Sequence, residues 1–268
     1  MKPTRNTFGL DKATLVSQST SRMDSHFKDN GYSLRQKLAL TCRILYDNGH
    51  DSGLAGQITG RTGTPGQFLT QRLGLGFDEI SEDNLLLVDE DLNVLEGDGV
   101  PNPANRFHSW VYRARPDVNC IIHTHAVHTA ALGMLEQPLQ VSHMDNCVLY
   151  DEVAFVAQWP GIPVGNEEGE LIAAALGSKR ALMLSHHGLL IAGDTVEQAC
   201  VLAIAFERAA RMQLLASAAG AIKPIDPALG AEAHDWILRP TRNSVAFGYY
   251  ARRSLKNPCN SDCLRPST

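Results

Sequence analysis

The sequence predicts an α/β fold: one domain over residues 31–250, with a flexible N-terminal arm over 1–30 and a C-terminal tail over 251–268. Three observations carry this expectation. Segments with apolar residues at three- and four-residue steps alternate with short apolar runs bounded by turn residues, so helices and strands are mixed along the chain. No internal repeat and no linker divides it before the tail. No Gly-x-Gly-x-x-Gly follows a strand, so the mixture carries no dinucleotide-binding signature.

Taken in order, residues 1–30 are polar and lack periodicity, and read as a loose arm. "SLRQKLALTCRILYDNG" reads as a helix. Ser33 caps it, Gln36 sits three places on as in a capping box, and Leu34, Leu38, Cys42 and Leu45 form one apolar face. Gly49 suits a left-handed stop. "LAGQITGR" and "NLLLVDEDLNVLEGD" read as strands, with a Gly-rich loop, "TGTPGQFLTQRLGLGF", between them. "NPANRFHSWVYRARP" reads as a helix ending before Pro116, "VNCIIHTHA" as a strand and "AVHTAALGMLE" as a helix. "RALMLSHHGLLIAG" reads as one strand ending in a turn. "TVEQACVLAIAFERAARMQLLASAAG" is a long helix capped by Thr195. The acidic run in "GNEEGEL" starts a helix, where carboxylates favour the N-terminal dipole.

Composition narrows the function classes. The 268 residues are 44% hydrophobic and 20% charged, the balance of a soluble globular protein. Net charge is −5 with no long basic block, which argues against nucleic acid as a partner. No apolar run approaches the roughly 20 residues of a membrane helix, and the N-terminus lacks the apolar core of a signal peptide. The six cysteines are scattered without zinc-finger spacing, as free thiols in a reducing compartment would be. The expected location is the cytoplasm.

Seven of the ten histidines lie between His108 and His187. Strand residues i and i+2 share a face, so His123 and His125 project together with Thr124 turned away. That makes half of a metal site. "SHHGLL" is the natural source of a third ligand, because Gly188 allows a sharp turn or close backbone approach beside His186 and His187. The competing reading is a set of histidines that only pack and hydrogen-bond. His128 falls on the following helix, with a substrate or supporting role weighed against simple packing.

"NRFHSWVYRARPDVNCIIHTHAVHTAAL" and "KRALMLSHHGLLIAG" resemble the class II aldolase/adducin family, and "GLGFDEISEDNLLLVDEDLNVLEG" and "GNEEGELIAAALG" extend the likeness from about Leu34 to Leu215. The resemblance implies a single three-layer α/β/α domain with a central, largely antiparallel sheet. It also implies a cytoplasmic homotetramer and a divalent metal (zinc, manganese, iron or cobalt) on His123, His125 and His187. His187 is preferred over His186 because in the family the histidine directly before the glycine ligates.

The chain departs from the family pattern at three places. The catalytic glutamate four residues before the histidine of "RFH" is here Ala104. The tyrosine expected after His143 is Met144. The phosphate-binding "GNIS" is "GQIT" at Gly56–Thr59. These departures argue against an ordinary sugar-phosphate aldolase. The expectation is a metal-dependent carbon–carbon lyase, a decarboxylase or aldolase, acting on a small hydroxy or oxo acid, aromatic acids included. One alternative is a three-histidine iron oxygenase that cleaves an aryl-pyruvate or mandelate type of acid. The other is a non-catalytic adducin-like module. Proton carriers are sought in His128 and His143, since histidine titrates near neutrality, and in His108, which lies four residues after Ala104. Arg106 is a candidate for a substrate carboxylate, weighed against a surface salt bridge, and Tyr150 is a further substrate-binding candidate.

Overall fold

A computed structural model of the chain describes residues 7–159 and 161–265. Helix α1 spans Lys12–His26, with Asp11 as its cap. This corrects the expectation of a loose arm, of which residues 1–6 lie outside the described part. None of the α1 residues is buried, which is why it leaves no periodic apolar signal. It is tied down by polar contacts, such as Arg239 Nη1 donating to Thr20 Oγ1 at 2.9 Å.

Helix α2 spans Leu34–Asp47, and Ser33 and Gln36 form the expected capping box. Gly49 follows with φ of 89°, the left-handed stop that its sequence position suggests. Strands β1 (Gln57–Arg61) and β2 (Gln67–Thr70) then pair antiparallel. β2 lies inside the stretch expected to be loop. "NLLLVDEDLNVLEGD" is a hairpin of β3 (Leu86–Asp89) and β4 (Val94–Glu96), not one strand. A 3-10 turn over Pro103–Asn105 leads into α3 (Arg106–Ala114). Next come β5 (Cys120–Thr124), α4 (Val127–Met134), β6 (Val153–Val156) and α5 (Asn166–Leu176). "RALMLSHHGLLIAG" also divides, into β7 (Ala181–Leu184) and β8 (Leu189–Gly193), which pair antiparallel about the turn that carries both histidines. Helices α6 (Val196–Ala219, capped by Thr195), α7 (Pro227–Ile237) and α8 (Pro240–Ser254) complete the order.

The strands form one sheet in the order β4-β3-β2-β1-β5-β8-β7-β6, antiparallel throughout except for the β6–β7 pair. Alternation along the central strands builds two cores. Cys120, Ile122, Met183, Leu189 and Ile191 face α2, α6 and α8. Ile121, Leu182, Leu184, Leu190 and Ala192 face α3 and α5. Burial of both faces explains why β5, β7 and β8 read as continuous apolar runs and not as alternating ones. The result is the expected three-layer α/β/α arrangement.

The expected C-terminal tail folds back onto α2. Arg43, fully buried, donates from Nε to the Ile80 carbonyl (2.7 Å), from Nη1 to the Cys259 carbonyl (3.1 Å) and from Nη2 to Asp262 (2.9 Å). Asp47, one turn on, accepts from Ser254, Asn257 and Asn260. Residues 266–268 lie outside the described part. Among the described residues no helix is long and apolar enough to cross a membrane.

Candidate metal centre

β5 delivers His123 on the α3–α5 face of the sheet and ends at Thr124, so His125 stands just past the strand end. β8 lies beside β5 with Leu190 opposite His123 and Leu189 opposite Thr124. The β7–β8 turn, Ser185–Gly188, is thereby held over the end of β5. His186 takes the left-handed conformation, with φ of 56°. Its ring is exposed and meets Glu136 at 3.0 Å. His187 turns the other way. A β-carbon on Gly188 would stand 2.5 Å from the Thr124 carbonyl oxygen and 2.7 Å from the His125 ring, so only glycine permits this approach.

The rings of His123, His125 and His187 form a nearly equilateral triangle, with centroids 4.9, 4.8 and 4.8 Å apart. One ring nitrogen from each lies within 4.8 Å of the others, and the Nε2 atoms of His123 and His125 are 3.0 Å apart. Nitrogens bound about 2.0–2.1 Å from a tetrahedral zinc ion would stand about 3.3 Å apart, close to the separation of the His123 and His125 nitrogens. Burial, followed by the nearby His187 and His125, holds His123 well below the usual imidazole range. Burial lowers His187 to about 4, with His125 adding to the effect, and burial also lowers His125. All three are therefore neutral at pH 7, the form that ligates. The Nδ1 atoms of His123 and His187 are buried without a hydrogen-bond partner. Neutral, convergent, under-satisfied imidazoles fit a borderline divalent cation.

The segment after α2 braces this corner, and sequence reasoning did not find it. His50 Nδ1 meets Thr124 Oγ1 at 2.8 Å on the opposite face of β5, and Ser52 Oγ accepts from the His125 backbone N–H at 2.8 Å. Glu207 of α6 caps α4 from outside: its carboxylate accepts from the N–H groups of His128 and Thr129 and from the Thr129 hydroxyl. An acid following the apolar run Val201–Phe206 of α6 was the available signal for Glu207. His50 and Ser52 carried none.

The other expected site residues separate. His108 is buried on α3, on the face that carries His123. Its Nδ1 meets Thr59 Oγ1 at 2.8 Å, Thr59 in turn meets the Tyr112 hydroxyl at 2.9 Å, and its Nε2 has no partner. Burial pushes His108 down to about 3. His128 lies on α4 as expected, with its Nδ1 2.6 Å from Glu207. His143 is exposed and caps a 3-10 turn by accepting from the Asp145 N–H. Arg106 is engaged at the surface by Asp91 (2.9 Å), the Glu90 carbonyl (3.3 Å) and Asn166 (3.0 Å), the arrangement its competing reading described. The Tyr150 ring packs on Gly230 of α7.

The model of the Class II Aldolase and Adducin N-terminal domain family matches residues 36–214. Among solved structures, L-fuculose 1-phosphate aldolase from Glaciozyma antarctica PI12 superposes with a TM-score of 0.78 at 28% identity, covering 87% of this chain and 92% of that one. Among curated proteins, the 4-hydroxy-3-prenylphenylpyruvate oxygenase/4-hydroxy-3-prenylbenzoate synthase of Streptomyces roseochromogenus subsp. oscitans is 29% identical over 206 residues, covering 75% of this chain and 74% of that protein. Decarboxylase NovR of Streptomyces niveus is 29% identical over 201 residues, covering 74% of each.

Proposed function

The chain belongs to the class II aldolase and adducin family, and from that premise we propose that it is a divalent-metal-dependent carbon–carbon lyase, a decarboxylase or aldolase, acting on a hydroxy or oxo acid, aromatic acids included. The observation that carries this reading is the triangle of His123, His125 and His187 with Ala104 at the position of the family's carboxylate. These three side chains would hold the ion, whether zinc, manganese, iron or cobalt. Bound there, a cation supplies Lewis acidity toward the negative charge that builds on substrate oxygens as the carbon–carbon bond breaks. Three neutral ligands leave its full charge for an anionic substrate. His108 is our choice for a neutral hydrogen-bonding group beside the substrate, because burial holds it at about 3 and keeps it from carrying a proton near neutral pH. It shares the sheet face of His123, Thr59 orients it, and one of its ring nitrogens is free.

The names of the decarboxylase and aldolase relatives support a lyase. The name of the prenylphenylpyruvate oxygenase relative supports a second reading, in which iron and oxygen cleave a similar acid. The buried free cysteines agree with a cytoplasmic setting. Exposed Met134 and Leu135 at the end of α4 agree with a homo-oligomer, a tetramer by family likeness.

Elemental analysis of protein purified without oxygen, then a screen of hydroxy and oxo acids with and without oxygen, tests the proposal. The expected result is one divalent ion per chain, lost in His123→Ala, and release of carbon dioxide or an aldehyde under nitrogen. Iron with turnover only under oxygen would establish the second reading. No bound ion and no turnover would leave a non-catalytic module.

A further inference from the structure

A second concave site lies between the C-terminus of α2, the N-terminus of α4, and helices α6 and α8. It is a cavity of about 610 Å³ lined in part by Arg208, Arg211, Arg253 and Tyr250. Two carboxylates also border it, and both are engaged within the fold. Asp47 accepts from Ser254 Oγ at 2.8 Å, Asn260 Nδ2 at 3.0 Å and Asn257 Nδ2 at 3.2 Å. Both oxygens of Glu207 serve the start of α4 and the ring of His128. The three arginines outnumber these two carboxylates around the hollow. Arg208 pairs, among the described residues, with the exposed Asp145, at 3.4 Å. Among the described residues Arg211 and Arg253 have neither a carboxylate nor a carbonyl partner.

Three guanidinium groups on two helices, aimed around one hollow, concentrate positive potential there and offer forked donors that match phosphate oxygens. The volume lies in the range of small-molecule sites. Val127, Ile204 and the Tyr250 ring give the hollow an apolar wall, so the occupant has an organic part as well as an anionic head. We propose that this cavity binds a small organic phosphate, with its head on Arg211 and Arg253, its approach steered by Arg208, and its organic part against Tyr250 and Ile204. The proposal stands apart from the role of the histidine triangle.

Calorimetric titration of the full-length protein as purified, with pyrophosphate as the probe, tests it. One pyrophosphate binds per chain. Arg211→Ala combined with Arg253→Ala weakens binding at least tenfold while metal content stays the same. His125→Ala, which dismantles the triangle, leaves the affinity within twofold. Should the double variant fail to fold, Arg253→Gln alone weakens binding severalfold. Four results would overturn the proposal: no saturable binding; an affinity indifferent to the arginines; loss of binding in His125→Ala, which would place the anion on the metal; or equal displacement by citrate, which would show that the cavity reads charge and not phosphate.

Discussion

Gly188 is the residue on which the corner turns. Its missing side chain lets the β7–β8 turn rest against the Thr124 carbonyl and the His125 ring at distances no β-carbon tolerates. The obstructing atoms belong to the strand that carries the other two imidazoles, so they cannot give way without moving those imidazoles. Gly188→Ala is therefore expected to swing His187 out of the triangle. Affinity for cobalt, followed by its visible absorption, should fall at least tenfold while the far-ultraviolet circular dichroism stays native. The role of this glycine could be read from "SHHGLL", because a glycine beside paired histidines signals close approach. The choice of His187 over His186 rested on family likeness, and its physical basis is the left-handed turn at His186. Thr124 points to the other side, as strand alternation requires, but its partner His50 was not legible. That contact joins residues 74 positions apart, and nothing in "NGHDSG" announces it.

Elements were legible where caps and periodicity coincide. Ser33, Gln36 and Thr195 mark helix starts that the structure reproduces. Strand divisions were harder. β7 and β8 read as one run because their turn contains histidines in place of the usual Asn-Gly type of signal, and β3 and β4 merged for a similar reason. Helix α1 is held by polar contacts and not by an apolar face, and the docked C-terminus joins the polar anchors Arg43 and Asp47 to two apolar ones, Cys263 and Leu264, so neither segment carries a periodic signal. Arg43 shows how this works. It sits beside Cys42 on α2, and its guanidinium reaches Ile80, Cys259 and Asp262 together. Arg43→Ala leaves the buried Ile80 carbonyl and the part-buried Cys259 carbonyl without that donor, and should cost about 2–4 kcal/mol in urea unfolding. Amide exchange over 258–265 should accelerate in the same variant, reporting release of the segment from α2.

Across the whole molecule, several buried imidazoles share one electrostatic consequence. Burial lowers His50 and His187 to about 4 and His108 to about 3. An unfolded chain restores each to its ordinary value near 6.5, so between roughly pH 4 and 6.5 the unfolded state binds more protons than the folded one, and stability rises with pH across that window. For metal-free protein the urea midpoint should drop as pH falls from 7 to 5, with each fully buried imidazole contributing at most about 2 kcal/mol. His108→Gln should flatten the profile. A midpoint that holds steady from pH 7 to 5 would contradict the burial of these rings. The order of strands in the sheet has a different consequence, for biogenesis. His123 and His125 leave the ribosome well before His187, with about sixty residues to be made and looped back before β8 can settle against β5. A nascent chain that stops short of the β7–β8 turn carries two of the imidazoles and nothing to close the triangle. Docking of β8 against β5 must therefore come before the three rings can meet.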